Sequence, residues 1–258
     1  MHLHWQTHGG NGPYLLLVHG MLCSRAQWLW NLPALKRVCR PVTVELWGHG
    51  RSPSPETVGH YAPKHYITEF EAIREQLGVD DWMLLGYSLG AGLTIRYAQT
   101  LPKHIRAHMF TNSTSGFADA NQIQAWQQSA DGSAARILAG GRSAIERIAV
   151  HPRRAKRLPA AIYEALLVDT ELLNPLGIAN IVRYTNPYVS VREEVQLNSR
   201  PALLICGSRE RRFADHREFA AANMPLLEIV DIDAGHGMNM EAHEAFNTAA
   251  CGFIACHT

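Results

Sequence analysis

A serine, a histidine and a glutamate, each in a glycine-marked setting, are the residues of this chain best suited to chemistry. Ser88 stands in Gly86-Tyr87-Ser88-Leu89-Gly90, after the apolar run 82–85 and before a helical stretch, 91–100. A sharp strand-to-helix turn crowds the residues beside its apex, and glycine relieves the crowding because it lacks a Cβ. The serine is then exposed at the carboxyl end of a strand and at the mouth of a helix, whose free N–H groups favour developing negative charge. A serine hydroxyl is a weak nucleophile at neutral pH and needs a base within hydrogen-bond reach. His236, in Asp233-Ala234-Gly235-His236-Gly237, follows the last apolar run and therefore falls on the same sheet edge. A carboxylate must orient that imidazole and stabilise it once protonated. Glu210, in Gly207-Ser208-Arg209-Glu210-Arg211-Arg212, fills this role in the chain order serine, acid, histidine. Asp215 is the reserve, and Asp233, on the strand end itself, fits less well.

Acyl transfer also requires donors for the oxyanion of a tetrahedral intermediate. The backbone N–H of Leu89, directly after the nucleophile, is one. The second is expected from His19-Gly20-Met21-Leu22, with Met21 as donor and with His19 and Gly20 shaping the turn. The Met21 sulfur either lines the acyl pocket or packs in the core. His19, Tyr87 and Trp126 are the candidate substrate contacts. The chemistry needs no metal and no organic cofactor.

These residues must be held by a sheet. Apolar runs at 14–18, 42–46, 82–85, 107–111, 202–206 and 226–232 read as strands, continuous rather than alternating, as in a parallel sheet covered on both faces. Residues 3–8 add an antiparallel edge strand. Helical stretches at 27–37, 64–77, 89–100, 215–222 and 241–256 alternate with the strands, which is the order of a doubly wound α/β sheet. Between about 116 and 198 the strand signals stop. Helices are expected there at 122–130, 133–148, 159–169 and 177–184, a helical insertion above the strand ends. The expected organisation is a core of 1–116 and 199–258 with a helical cap of 117–198.

Bulk properties narrow the function. With 24 basic and 23 acidic residues, the net charge of +1 gives no electrostatic case for nucleic acid. The opening Met1–Gln6 lacks the basic start and apolar run of a signal peptide, and no apolar run approaches the ~18 residues that span a bilayer. Five scattered cysteines, without a Cys-x-x-Cys pair, point to reduced thiols in the cytoplasm rather than to disulfides or structural zinc. Gly9-Gly10-Asn11-Gly12 precedes a strand instead of following one, so it is no dinucleotide fingerprint. Gly48-His49-Gly50 lacks the Gly-Lys-Ser/Thr of a phosphate cradle. His104 and His108 have i, i+4 spacing, but Pro102 argues against a shared helix face for zinc.

His19-Gly20, Gly48-His49-Gly50-Arg51-Ser52, the serine pentapeptide, Gly207-x-x-Glu210 and Gly235-His236 recur here in an order that resembles the α/β-hydrolase superfamily. The resemblance covers the chain outside the insertion. It implies a mostly parallel sheet of about eight strands with helices on both faces, and a helical cap between strands six and seven. Two residues depart from the pattern: Glu210 stands where the family usually has aspartate, and Glu45-Leu46-Trp47 where aspartate often precedes Gly-His-Gly. Within the superfamily, Trp5-Gln6-Thr7-x-Gly9 and the length are similar to carboxylesterases that demethylate pimeloyl-carrier-protein esters. The basic run His151-Pro152-Arg153-Arg154-Ala155-Lys156-Arg157 would suit an acidic carrier protein. The expected activity is hydrolysis of a carboxylic ester of a small or medium acyl compound through an acyl-enzyme on Ser88. Carbon–carbon hydrolysis of a diketone-like ring-cleavage product, and a slow-turnover ligand receptor on a hydrolase scaffold, are the alternatives.

Overall fold

Seven strands form one sheet: β1 (Trp5–Thr7), β2 (Tyr14–Val18), β3 (Arg40–Val44), β4 (Trp82–Gly86), β5 (Ile105–Thr111), β6 (Ala202–Gly207) and β7 (Leu227–Ile232). Their spatial order is β1-β3-β2-β4-β5-β6-β7. This is a computed structural model, which describes every residue except Lys156. All strand pairs are parallel except β1 against β3. The interior strands β4 and β6 are buried along their whole length, which explains why their sequences are apolar without alternation.

Alternate side chains feed two cores. Leu15, Leu17, Met83 and Leu85 pack with Leu35 of α1 (Leu32–Leu35) and with Phe246 and Phe253, which lie beyond β7. Leu16, Val18 and Leu84 point the other way, against Phe70 of α2 (Pro63–Gln76) and Tyr97 of α3 (Leu89–Thr100). Between β5 and β6 the described residues hold no strand; they form α4 (Ala120–Glu146), α5 (Ala160–Thr170) and α6 (Pro175–Tyr184) with short 3-10 turns. After β6 come α7 (Ala214–Asn223), then β7, α8 (Met238–Glu241) and α9 (His243–Cys256).

Among the described residues seven strands, not eight, make the sheet. The edge strand expected over 3–8 is shortened to β1, and side chains take the backbone donors ahead of it: Leu3 N–H donates to Glu69 and His4 N–H to Ser52 Oγ. The helix expected over 27–37 divides into a 3-10 turn, Arg25–Trp28, and the short α1, whose first turn accommodates Pro33. The break expected near Gly132 is absent; α4 runs on and bends at Gly141, where φ is +54°. Among the described residues no single helix is long and apolar enough to cross a membrane. All five cysteines are free thiols.

Candidate active site

Strand order reverses between β2 and β4, since β3 lies beyond β2 while β5 lies beyond β4. Open α/β sheets bind ligands at such a switch point, outside the carboxyl ends of the strands. β2 runs into the loop of Met21 and β4 into Ser88; Val18 and Gly86 are register partners. The two segments therefore leave the sheet side by side.

Ser88 caps α3 with φ +53° and ψ −115°, a conformation an L-residue rarely adopts. Its surroundings hold it there. Ser88 N–H donates to Thr111 Oγ1 at 3.2 Å, Ser113 Oγ donates to Ser88 O at 2.6 Å, and Tyr87 N–H donates to Val18 O at 2.9 Å. The flanking glycines are required by space. A Cβ on Gly86 would lie 2.2 Å from Thr94 Oγ1, and one on Gly90 would lie 2.4 Å from Val18 O.

A cavity of about 540 Å³ opens beside Ser88, and Glu210 and His236 line it too. His236 Nδ1 and Glu210 Oε2 are 2.8 Å apart. The same oxygen accepts from Asn112 Nδ2 at 2.8 Å, and Asn112 clamps Gly207 through both its amide atoms, at 3.0 and 3.1 Å. Burial pushes the Glu210 carboxyl up, but the hydrogen bond from His236, its charge, the Asn112 amide and Arg212 together hold it below the usual carboxylate range. The other two carboxylates do not reach the imidazole. Asp233 is exposed and lies 3.4 Å from Arg209, and Asp215 is exposed in the first turn of α7.

Met21 and Leu89 also line the cavity. Among the described residues neither backbone N–H has an acceptor in the chain, whereas the adjoining Leu22, Cys23 and Gly90 N–H groups are all engaged. Tyr87 and Trp126 reach the same space, and the Tyr87 ring meets His236 edge-on at 5.2 Å. His19 does not. It is fully buried, its Nδ1 bonded to Gly20 O at 2.7 Å and its Nε2 accepting from Leu46 N–H at 3.0 Å. The expectation of a substrate contact at His19 is corrected: both ring nitrogens are spent on backbone.

Two other groups on the cavity invite comparison. His151 lies on it, but its Nδ1 accepts from Arg153 N–H at 3.2 Å and among the described residues no carboxylate bonds it. Cys23 is there as well, with its thiol pushed up to about 12 by burial, so it is not a thiolate at neutral pH. In the basic run, Arg153 faces Glu146 at 3.3 Å and Arg154 lines the cavity, while Lys156 lies outside the described residues.

Several residues escaped the sequence reading. Asn112 ends an apolar strand without any motif. Gln27 Oε1 accepts from Gly20 N–H at 3.2 Å, and Asn239 Nδ2 donates to Gln27 O at 3.0 Å. That chain of bonds ties the segment after His236 to the loop of Met21. No spacing rule foretells it. His104 and His108, the discounted zinc pair, bond Glu71 and Asn198 respectively.

A family model described as the alpha/beta hydrolase fold matches residues 13–243. A protein of Bacillus subtilis (strain 168), provisionally named 2-succinyl-6-hydroxy-2,4-cyclohexadiene-1-carboxylate synthase, is 24% identical over 93% of this chain and 89% of its own. Among solved structures, MenH from S. aureus superposes with a TM-score of 0.86 at 18% identity, covering 98% of both chains. A thermophilic esterase from Thermogutta terrifontis gives 0.79 at 18% identity, over 99% of this chain and 94% of that one.

Proposed function

The chain belongs to the alpha/beta hydrolase fold family, and within it we propose a serine hydrolase that cleaves carboxylic esters through an acyl-enzyme on Ser88. The observation that supports this most is the 2.8 Å contact between Glu210 and His236 on the cavity that Ser88 lines. Glu210 engages Nδ1, which leaves Nε2 to take the proton from Ser88 Oγ. Oγ attacks the ester carbonyl, and the Met21 and Leu89 N–H groups receive the oxyanion. Protonated His236 gives its proton to the departing alcohol. The same imidazole then deprotonates a water that cleaves the acyl-enzyme and regenerates Ser88. Every step uses this chain's own groups and water.

The cavity lies within the ordinary range for small-molecule sites, about 300–1,000 Å³, and Leu89, Trp126, Val150 and Leu158 give it apolar walls suited to a small or medium acyl group. Residues 117–198 act as the cap that supplies much of that wall. The five free thiols support a cytoplasmic setting. Ser88→Ala tests the reading. Turnover of a model aryl ester should fall at least about 10⁴-fold, and labelling by a fluorophosphonate should disappear while the thermal transition stays in place. Activity equal to the parent protein's would overturn the assignment.

A further inference from the structure

Two guanidinium groups line the cavity without a direct ion pair, although Arg212 feels the charge of Glu210 through space. Arg154 comes from the 3-10 turn Pro152–Arg154 between α4 and α5, and Arg212 from the turn Arg211–Phe213 that follows Glu210. Both line the space that holds Ser88 and His236. Among the described residues neither has a carboxylate within 4.0 Å or a hydrogen-bond acceptor. Arg153 and Arg209, which do not line the cavity, are paired: Arg153 faces Glu146 at 3.3 Å, and Arg209 faces Asp233 at 3.4 Å and Glu241 at 3.7 Å.

The carboxylates that share the cavity are engaged by other groups, so their oxygens do not occupy the Arg154 and Arg212 donors. Glu210 is committed to His236 and Asn112. Glu241 Oε2 accepts from Gly235 N–H at 3.1 Å and lies near Arg209. His151 is driven towards its neutral form, chiefly by burial, and Cys23 is a neutral thiol. Trp126, Val150, Leu158 and Leu166 form an apolar stretch of wall: a slot for methylenes with two exposed guanidinium groups whose donors are unoccupied. A guanidinium so placed binds carboxylate or phosphate through charge-assisted hydrogen bonds.

We propose that the substrate is an ester bearing a second, anionic group, a carboxylate or phosphate separated from the scissile carbonyl by a short apolar chain and held by Arg154 and Arg212. This rests on the hydrolase reading above, and the test separates the two. The probes are monomethyl esters of succinate through suberate, each compared with the dimethyl ester of the same acid, and a parallel series of methyl ω-phosphoryloxyalkanoates. For at least one chain length kcat/KM should favour the charged ester by about tenfold or more, mainly through KM, and the preference should shrink with added salt. Whether the carboxylate or the phosphate series shows it identifies the anion. In the double variant Arg154→Gln/Arg212→Gln the ratio of charged to neutral ester should fall towards one. Because that ratio is taken within each protein, a general effect of Arg212 on Glu210 cancels, and the single variants serve if the double one does not fold.

A ratio of one or less across both series, or a ratio untouched by the substitutions, would overturn the proposal. If no ester is turned over and a fluorophosphonate leaves Ser88 unlabelled, the hydrolase reading fails instead. The anion site is then judged by calorimetric binding of the half-esters and phosphate esters to the Ser88→Ala protein. Binding that is lost with Arg154→Gln/Arg212→Gln supports the site, and absence of binding overturns it.

Discussion

Glu210 carries one methylene more than the aspartate usual at this point of the family pattern, and its Oε2 uses that reach to meet His236 and Asn112 at 2.8 Å each. Glu210→Gln should therefore damage turnover without removing the side chain. An amide cannot stabilise the imidazolium and favours the wrong tautomer, so kcat should fall about 10³–10⁴-fold with fluorophosphonate labelling slowed in parallel. Asn112→Ala acts one step further out. It frees Glu210 Oε2 and leaves Gly207 N–H without its partner, which predicts about a tenfold lower kcat, little change in KM, and a stability loss of about 1–2 kcal/mol read by urea unfolding. An unchanged kcat in Asn112→Ala would mean that His236 alone orients Glu210. Ser88 and His236 were legible in the sequence because glycines mark sharp turns at strand ends. Glu210 was legible through chain order. Asn112 was not, since its value comes from Gly207 and Glu210, some hundred residues away. His19 illustrates the converse error: a histidine followed by glycine at a strand end looks like His236 locally, and only burial distinguishes them.

At the scale of elements, the loops after β2 and β3 brace one another through His19 and His49. His19 Nε2 accepts from Leu46 N–H at 3.0 Å, and His49 Nε2 accepts from Leu22 N–H at 2.9 Å, with the rings 5.0 Å apart. Leu22, at φ +60°, adjoins the Met21 N–H, so the brace fixes the direction of this proposed oxyanion donor. Both imidazoles must be neutral to accept. Burial, followed by the proximity of His19, pushes His49 down to about 3, and burial pushes His108 in β5 down to about 4. In the unfolded chain each would take up a proton near 6.5. The unfolded state thus binds more protons below that value. Stability should be full above it and decline as the pH falls towards the folded values, by up to about 1.4 kcal/mol per pH unit for each group. Urea midpoints from pH 7.5 to 4.5 should show this decline, and His49→Gln, which keeps an acceptor for Leu22, should make it shallower. A slope identical in both proteins would place the protonation elsewhere. Helix α3 was foreseen to the residue because the serine turn fixes its start. The bounds of β3, observed two residues earlier than expected, depend on pairing with β2 and β1, which no local pattern contains.

The whole molecule adds a junction between the helical segment and the sheet. Asp169, near the end of α5, accepts from Ser24 Oγ at 2.6 Å and from Arg51 at 3.1 Å, while Arg51 also meets the buried Glu45 at 2.8 Å. Ser24 follows Cys23 on the cavity wall, and Arg51 belongs to the loop after β3. Glu45, the second departure from the family pattern, thus anchors an arginine that spans core and insertion; its carboxylate also accepts from Arg51 N–H at 2.8 Å. If residues 117–198 are the cap that walls the acyl site, Asp169 is the point where its registration is set. Asp169→Ala removes an acceptor shared by two core groups but leaves Arg51 its pair with Glu45. Arg51 is about a third exposed, so solvent screens part of the loss. The expected cost is about 2 kcal/mol in urea unfolding, below the 3–5 kcal/mol typical of a fully buried pair broken from one side. KM for the preferred ester should rise by more than kcat falls, because Glu210, His236 and Ser88 stay in place while the wall that grips the acyl chain loosens. Ser24→Ala should reproduce the KM effect more weakly. A kcat loss that matches or exceeds the KM change would show instead that α5 supports the loop of Met21, and hence one of the two proposed oxyanion donors, rather than the acyl wall.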